Sequence, residues 1–230
     1  LHQHDAPRLD WGAEELLAQQ GLVGTMFNVP FAKEVIERTA KAAQEAVVRA
    51  QPVTQIGLGQ AKVEKVASNR RILDSDGKVK HMRFTATADP KIRAFPDGTI
   101  DLYVKSITFY TVDELICVLT YYATHPQSYY RTGLAETDFP GIARILREDT
   151  LGVPHIHFNG AGGNIGAGKY NDGAHDNRIR LAGRLAKGMQ QAYEATEKFP
   201  VTAETFGWES VPVSLPPAEH LDEEKLQALI

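Results

Sequence analysis

The stretch that decides the fold reads LICVLTYYA (115–123) and runs directly into THP (124–126). An apolar run of this length that ends in turn residues predicts a strand buried inside a sheet. A helix is predicted next, from Phe139 to about Thr150, with Asp138 as its N-cap and Gly152 just past its end. The stretch therefore reads as a strand followed by a helix.

Strands and helices continue to alternate beyond that helix. Val153–Phe158 predicts a short strand, and 176–196 predicts a helix whose apolar face carries Ile179, Ala182, Leu185, Met189 and Ala192. This alternation favours an α/β fold, a mixed β-sheet core flanked by helices, with partly parallel pairing. The remaining predicted elements are helices at 13–20 and 30–50, strands at 53–66 and 99–111, an extended segment at 201–215 and a helix from Leu221.

Composition and charge narrow the class of protein. The 230 residues carry a formal net charge of -4, so no basic field is present to attract nucleic acid. No apolar run reaches about 18 residues, so no transmembrane segment is predicted. The single cysteine, Cys117, excludes an internal disulfide framework, and its apolar neighbours predict a buried thiol. We predict a single domain, 1–230, that is a fragment of a longer one, because paired histidines at a frayed terminus would lack support.

The chain opens on two histidines, His2 and His4, separated by Gln3. On an extended segment, residues two apart point to the same side, so both imidazoles can converge on one Zn2+. Asp5 is a further ligand candidate, or a carboxylate that orients a histidine. The alternative is a terminus with two solvated histidines.

Three further histidines lie on a predicted strand or just after one. His125 ends the strand at 115–123, and strand ends are where α/β folds place ligands and catalytic groups. His155 and His157 alternate on a strand and share one face, which suits either metal ligation or burial with satisfied hydrogen bonds.

A glycine-rich loop spans 160–173. Gly163 to Lys169 fits the pattern G-x-x-x-x-G-K, but Tyr170 stands where a phosphate-binding loop needs serine or threonine. Nucleotide binding is therefore not expected. Glycines allow the backbone to approach a substrate closely, so the N–H groups here could serve as an oxyanion hole.

Four motifs, in order over nearly the whole chain, resemble those of the neutral/alkaline (non-lysosomal) ceramidase family. His2-Gln3-His4-Asp5-Ala6-Pro7 is similar to the family's His-Thr-His-Ser-Gly-Pro, and Asn69-Arg70-Arg71 is similar to its Asn-Arg-Ser. His125-Pro126 matches a family His-Pro pair that follows an apolar strand. The segment 164–171 aligns with the family's loop Asn-Val-Gly-Asp-x-Ser-Pro-Asn.

This resemblance implies a zinc-dependent amidase that cleaves the N-acyl bond of ceramide. It implies that His2 and His125 are zinc ligands, and that His4 lies beside the attacking water or the scissile group. Arg70 would bind the polar end of a small-molecule or lipid-like substrate. The substrate-binding candidates in the loop are Gly163, Asn164 and Gly166. The resemblance also implies an extracytoplasmic location, periplasmic or secreted.

The chain departs from the family pattern within the glycine-rich loop. Lys169 stands at the position of the family's serine, and Ala167 at that of its aspartate. Lysine cannot take the hydrogen-bonding role of a hydroxyl, so ceramide itself is not the expected substrate. Lys169 joins His4 and Arg70 as a catalytic candidate. The family's other ligands, a glutamate and a tyrosine, belong to a later part of its domain, so we expect the metal site of this chain to be incomplete.

The sequence thus predicts a metal-dependent hydrolase of an amide or related acyl bond. Two alternatives stay open. One is another His-x-His metallohydrolase, amidohydrolase-like, which would draw His155 or His157 into the site. The other is a non-catalytic relative that binds lipid or carbohydrate.

Overall fold

The computed structural model describes residues 2–6, 9–112, 114–129, 133–218 and 221–228. Its helices are α1 Trp11–Gln19, α2 Val29–Val48, α3 Pro90–Ala94, α4 Asp138–Leu151, α5 Asn177–Glu194 and α6 Glu223–Gln227. Its strands are β1 Gln55–Lys62, β2 Ser68–Asn69, β3 Arg71–Leu73, β4 Val79–Met82, β5 Tyr103–Thr111, β6 Glu114–Tyr121, β7 His155–Phe158, β8 Ile165–Gly166 and β9 Glu197–Pro200.

A five-stranded mixed sheet organises these elements, in the order β7-β6-β5-β1-β9. β6 and β7 run parallel, joined through α4, whereas β1 pairs antiparallel with both β5 and β9, and β5 with β6. The predicted α/β class, with a mixed sheet flanked by helices and partly parallel pairing, is confirmed. The small pairs β2-β8 and β3-β4 lie outside this sheet.

The core lies between the sheet and helix α5, which packs on β1 and β5 and also against α4. Val104, Leu181, Leu185 and Met189 are fully buried there. The close approach requires Gly59, since a Cβ at this position would lie 2.0 Å from the carbonyl oxygen of Ala192. Burial of these apolar side chains drives the folding of this layer.

Two predictions about helices are corrected by the structure. Ile179 was assigned to the apolar face of α5, yet its side chain is 63% exposed, because Leu181 takes the position against the core. Asp138 was predicted to be an N-cap. It instead begins α4, with Thr137 as the N-cap residue, because its carboxylate accepts hydrogen bonds from Ser128.

The chain divides into two compact units, Leu1–Pro200 and Val201–Ile230. The second unit has no regular strand across its described residues 201–218, where the sequence predicted an extended segment, and contains α6. Residues 229 and 230 of the predicted last helix lie outside the described residues. None of the described helices has the length and apolar character needed to cross a membrane.

Candidate metal centre and its surroundings

Three histidines that are distant in sequence meet in the structure. The ring centroids of His2 and His125 lie 4.4 Å apart, those of His4 and His125 5.1 Å, and those of His2 and His4 4.7 Å. Each residue offers a ring nitrogen, and these nitrogens lie within 4.8 Å of one another. Two nitrogens bound to the same tetrahedral zinc would be about 3.4 Å apart. This value lies between the 2.9 Å that separates Nε2 of His2 from Nε2 of His4 and the 4.8 Å limit of the cluster.

His125 is held at the end of β6 by the glycine-rich loop. Its backbone N–H donates to Ile165 O at 2.9 Å, and its ring Nδ1 lies 2.9 Å from Gly162 O. Because a carbonyl oxygen only accepts, Nδ1 carries the hydrogen and Nε2 keeps its lone pair. In metal sites, the group that accepts a hydrogen bond from the second ring nitrogen of a histidine ligand usually fixes its tautomer in this way.

The segment that carries His2 and His4 is tied to the domain at two points. The backbone N–H of His2 donates to Asn159 Oδ1 at 3.3 Å, and the N–H of Glu136 donates to Asp5 O at 3.0 Å. The Nε2 atoms of His2 and His4 lie 2.9 Å apart. Pro7, the last residue of the predicted motif, lies outside the described residues.

The environment of His2 and His4 favours their neutral imidazole form. Burial, and then the neighbouring His125, lower the pKa of both His2 and His4. Asp5 and Asp138 oppose this effect at His4. A neutral imidazole is the form that binds a metal, so the lowered pKa values of His2 and His4 favour ligation by these two residues.

Arg70 lies next to the cluster, between β2 and β3. Its N–H donates to Asn164 O at 2.9 Å, and its guanidinium carbon lies 5.5 Å from the centre of the Phe84 ring. A Cβ on Gly166 would lie 3.9 Å from the Cβ of His125 and 4.0 Å from the Cγ of Arg70. The structure therefore brings Arg70, Asn164, Gly166 and His125 close to one another, and their roles at a site stay a prediction.

Lys169 has partners away from the histidines. Its ammonium group donates to Phe95 O and lies 3.6 Å from Asp97 Oδ1. Asp97 also accepts from the Tyr170 hydroxyl at 2.6 Å. These contacts fix the glycine-rich loop to the end of α3. A catalytic role for Lys169 stays a prediction, as does a substrate contact of Gly163, which is exposed.

His155 and His157 form a separate pair around Thr120. The Thr120 hydroxyl lies 3.1 Å from His155 Nε2 and 2.9 Å from His157 Nδ1. Burial lowers the pKa of each histidine to about 4. Over the part of the chain that the structure describes, the metal-capable group contains His125 and neither of these two. This arrangement gives no support to the amidohydrolase-like alternative.

A cavity of about 480 Å3 adjoins the cluster. It is lined by residues 2–6, by Pro140, Gly141 and Arg144 of α4, and by His157 and Asn159. The sequence reasoning missed Asn159, although its position just after β7 is a strand end. It also missed Arg178, whose guanidinium lies 3.4 Å from Asp138, pairs with Glu136 and stacks 3.9 Å from the Tyr129 ring. No sequence pattern signals that network, since it depends on tertiary contacts.

Comparison with solved structures adds a second line of evidence. The neutral ceramidase from Pseudomonas aeruginosa matches with a TM-score of 0.52 at 18% sequence identity, covering 74% of this chain and 26% of that one. The fold is ceramidase-like. A ceramidase complexed with C2 matches with a TM-score of 0.40 at 17% identity, over 63% of this chain and 22% of that one.

The description of the fold as ceramidase-like rests on structural similarity alone. No protein-family model matches this chain, and no curated protein matches it in sequence. The chain spans 26% of the length of the Pseudomonas ceramidase. The resemblance stated from the motifs is therefore supported at the level of the fold.

Proposed function

We propose that this chain is a zinc-dependent hydrolase of an amide or related acyl bond. The observation that carries the proposal is the convergence of His2, His4 and His125, whose ring nitrogens lie within 4.8 Å of one another. Burial lowers the pKa of His2 and His4, which favours their neutral form, and Gly162 O holds the tautomer of His125. The ceramidase-like fold agrees with a hydrolase of this class.

The donor set suits zinc. Three imidazoles leave a fourth tetrahedral position open, which is the arrangement of catalytic rather than structural zinc sites. Zinc in such a site supplies a nucleophile from water near neutral pH and polarises a carbonyl group. His2 and His125 are the proposed ligands. His4 completes the set or contacts the scissile group.

The surrounding residues would bind and orient the substrate. Arg70, whose Cγ would lie 4.0 Å from a Cβ on Gly166, would hold a polar or anionic group of the substrate with its guanidinium. Backbone N–H groups of the glycine-rich loop would stabilise negative charge on the carbonyl oxygen. The cavity of about 480 Å3 would receive the acyl part, since its volume falls in the range of small-molecule sites.

Metal analysis of purified variants tests the proposal. The wild-type chain should retain one zinc after dialysis, and His125→Ala should lose most of it. His81→Ala is the matched control, because His81 lies on β4, its ring centroid is 5.5 Å from that of Phe95, and it is not part of the metal-capable group found among the described residues. Full zinc content in His125→Ala would refute the assignment. Hydrolysis of a panel of N-acyl amides and esters, abolished by a chelator and restored by zinc, tests the reaction.

One observation favours the non-catalytic alternative, in which the site binds a lipid or carbohydrate without turnover. Lys169 replaces the serine of the ceramidase pattern, and its ammonium group is engaged by Phe95 O and Asp97. Zinc binding without hydrolysis of any substrate on the panel would support this alternative over the enzyme.

A further inference from the structure

A second cavity, with a volume of about 550 Å3, lies between the end of β1, the turn that follows it and one side of α5. Among the described residues that line it, the acidic one is Glu64 and the basic ones are Lys62, Lys65, Arg184 and Lys187. Four cations and one carboxylate give a local formal charge of +3, in a chain whose net charge is -4. We call this cavity the basic cavity.

The position of the basic cavity is set by the core of the domain. Helix α5 packs against β1, and residues 184, 187 and 191 lie on the same side of the helix because they are three or four positions apart. Val63 and Met189, each adjacent in sequence to a lining residue, are buried in the core. Lys62 and Lys187 therefore extend from two elements that are fixed relative to each other.

The cations of the basic cavity lack carboxylate partners. Other basic side chains of the domain form close ion pairs, as Lys105 does with Asp101 and Arg180 with Asp176. Across the described ranges, none of the ion pairs includes Glu64 or a basic residue of this cavity. Like charges that line one cavity repel each other, and their combined field attracts an anion. Binding of an anion would remove this repulsion.

The backbone of Lys65 supplies an independent observation. Its φ is 56°, in the left-handed region that glycine adopts freely and lysine rarely does. The Arg184 guanidinium donates to Lys65 O at 2.8 Å and so holds the turn from the opposite wall of the cavity. Glycine would form the same turn with less strain, so the turn by itself does not account for a lysine. Strained positions of this kind cluster at binding sites.

We propose that the basic cavity binds the diphosphate group of a ligand. A phosphate ester carries about 1.5 to 2 negative charges at neutral pH, so two linked phosphates carry roughly three and match the charge of the cavity. A monocarboxylate would offset only one of the cations. Arg184 can offer its remaining N–H groups to phosphate oxygens, and the lysines supply ammonium donors. The volume of about 550 Å3 falls in the range of small-molecule sites.

Equilibrium dialysis of the full chain with pyrophosphate is the first test. One pyrophosphate should bind per chain, more tightly than inorganic phosphate, and acetate should not compete. Lys187→Gln should raise the pyrophosphate dissociation constant about 10-fold or more, because it removes a charged donor. Lys33→Gln is the matched control, since Lys33 is also an exposed lysine within a helix but does not line the basic cavity. Absence of binding at about 1 mM pyrophosphate, or equal effects of the two variants, would overturn the proposal.

Lys65→Gly separates the ligand contact from the stability of the fold. The variant relieves the left-handed backbone, so its melting temperature should equal or exceed that of the wild type, while its pyrophosphate dissociation constant should rise about 10-fold. An unchanged affinity in this variant would overturn the proposal.

His125→Ala separates this site from the proposed metal centre. No described residue lines both the basic cavity and the cavity beside the histidines, so this variant should bind pyrophosphate as the wild type does. Loss of binding in His125→Ala would place the anion at the histidine cluster and would overturn the proposal.

Vesicle sedimentation distinguishes the two sources of a diphosphate group. The probe is phosphatidylcholine vesicles with and without a long-chain alkyl diphosphate. Co-sedimentation that requires the diphosphate lipid and is lost in Lys187→Gln would identify a lipid headgroup as the ligand. Binding of pyrophosphate without co-sedimentation would identify a soluble ligand.

Discussion

Replacement of Gly162 by alanine should weaken zinc binding without removing any proposed ligand. A Cβ at Gly162 would lie 2.8 Å from the carbonyl carbon of Thr124, 2.9 Å from its oxygen and 3.1 Å from the backbone nitrogen of His125. Carbon atoms in ordinary contact are about 3.5 Å apart, so the loop must withdraw by about 0.7 Å. That movement breaks or lengthens the 2.9 Å hydrogen bond from His125 Nδ1 to Gly162 O.

The size of the effect follows from the role of that hydrogen bond. Loss of the group that orients a metal-binding histidine typically costs 10- to 100-fold in metal affinity, or about 1.4–2.7 kcal/mol. We therefore expect the zinc dissociation constant of Gly162→Ala to rise by about that factor. Competition with a fluorescent chelator measures it, and circular dichroism checks that the fold is retained.

The neighbouring glycine provides the control. A Cβ on Gly163 would meet nothing within 4 Å, so Gly163→Ala should bind zinc like the wild type. Equal affinities in both variants and the wild type would refute the idea that Gly162 positions His125. An equal loss in both variants would show that the loop responds to any added side chain.

Three other predictions concern stability and pH. Lys169→Met should lower the free energy of unfolding by about 1 kcal/mol, because it removes the contacts with Phe95 O and Asp97; loss of turnover at unchanged stability would instead favour a catalytic lysine. Asp138→Ala should destabilise by about 3 kcal/mol, because Ser128 and the Arg178 cation lose a buried carboxylate partner; a melting temperature equal to that of the wild type would contradict this. His155 and His157 have pKa values lowered to about 4, so the unfolded chain, with imidazole pKa about 6.5, takes up protons first as pH falls. The free energy of unfolding should be at its maximum above about pH 6.5 and should fall towards pH 4, less steeply in His157→Gln than in the wild type. The same pH dependence of the melting temperature in both proteins would contradict this reasoning.

The sequence predicted the elements that carry a strong hydrophobic period. The strand β6 and the helices α4 and α5 are present close to their predicted bounds, since a long apolar run or a 3.6-residue period specifies them locally. Which side of α5 faces the core was harder to predict. Ile179 fits the helical period as well as Leu181 does, and only the position of the sheet decides which of them is buried.

The candidate site could be predicted only as a set of residues. The order of His2, Arg70 and His125 along the chain matched a family pattern, and the structure brings them together. Their geometry depends on β2-β8, a pairing of two residues on each side, which is too short to leave a periodic signal. The partners Asn159 and Gly162 act through a side-chain amide and a backbone carbonyl, and neither is visible as a motif.

The tie between His2 and Asn159 joins residues separated by 157 positions. A ribosome adds about 5–20 residues each second, so roughly 8–30 s pass between the synthesis of His2 and the synthesis of Asn159. During that interval the two imidazoles are accessible to any free divalent cation. The site therefore cannot form until the chain has been synthesised through β8.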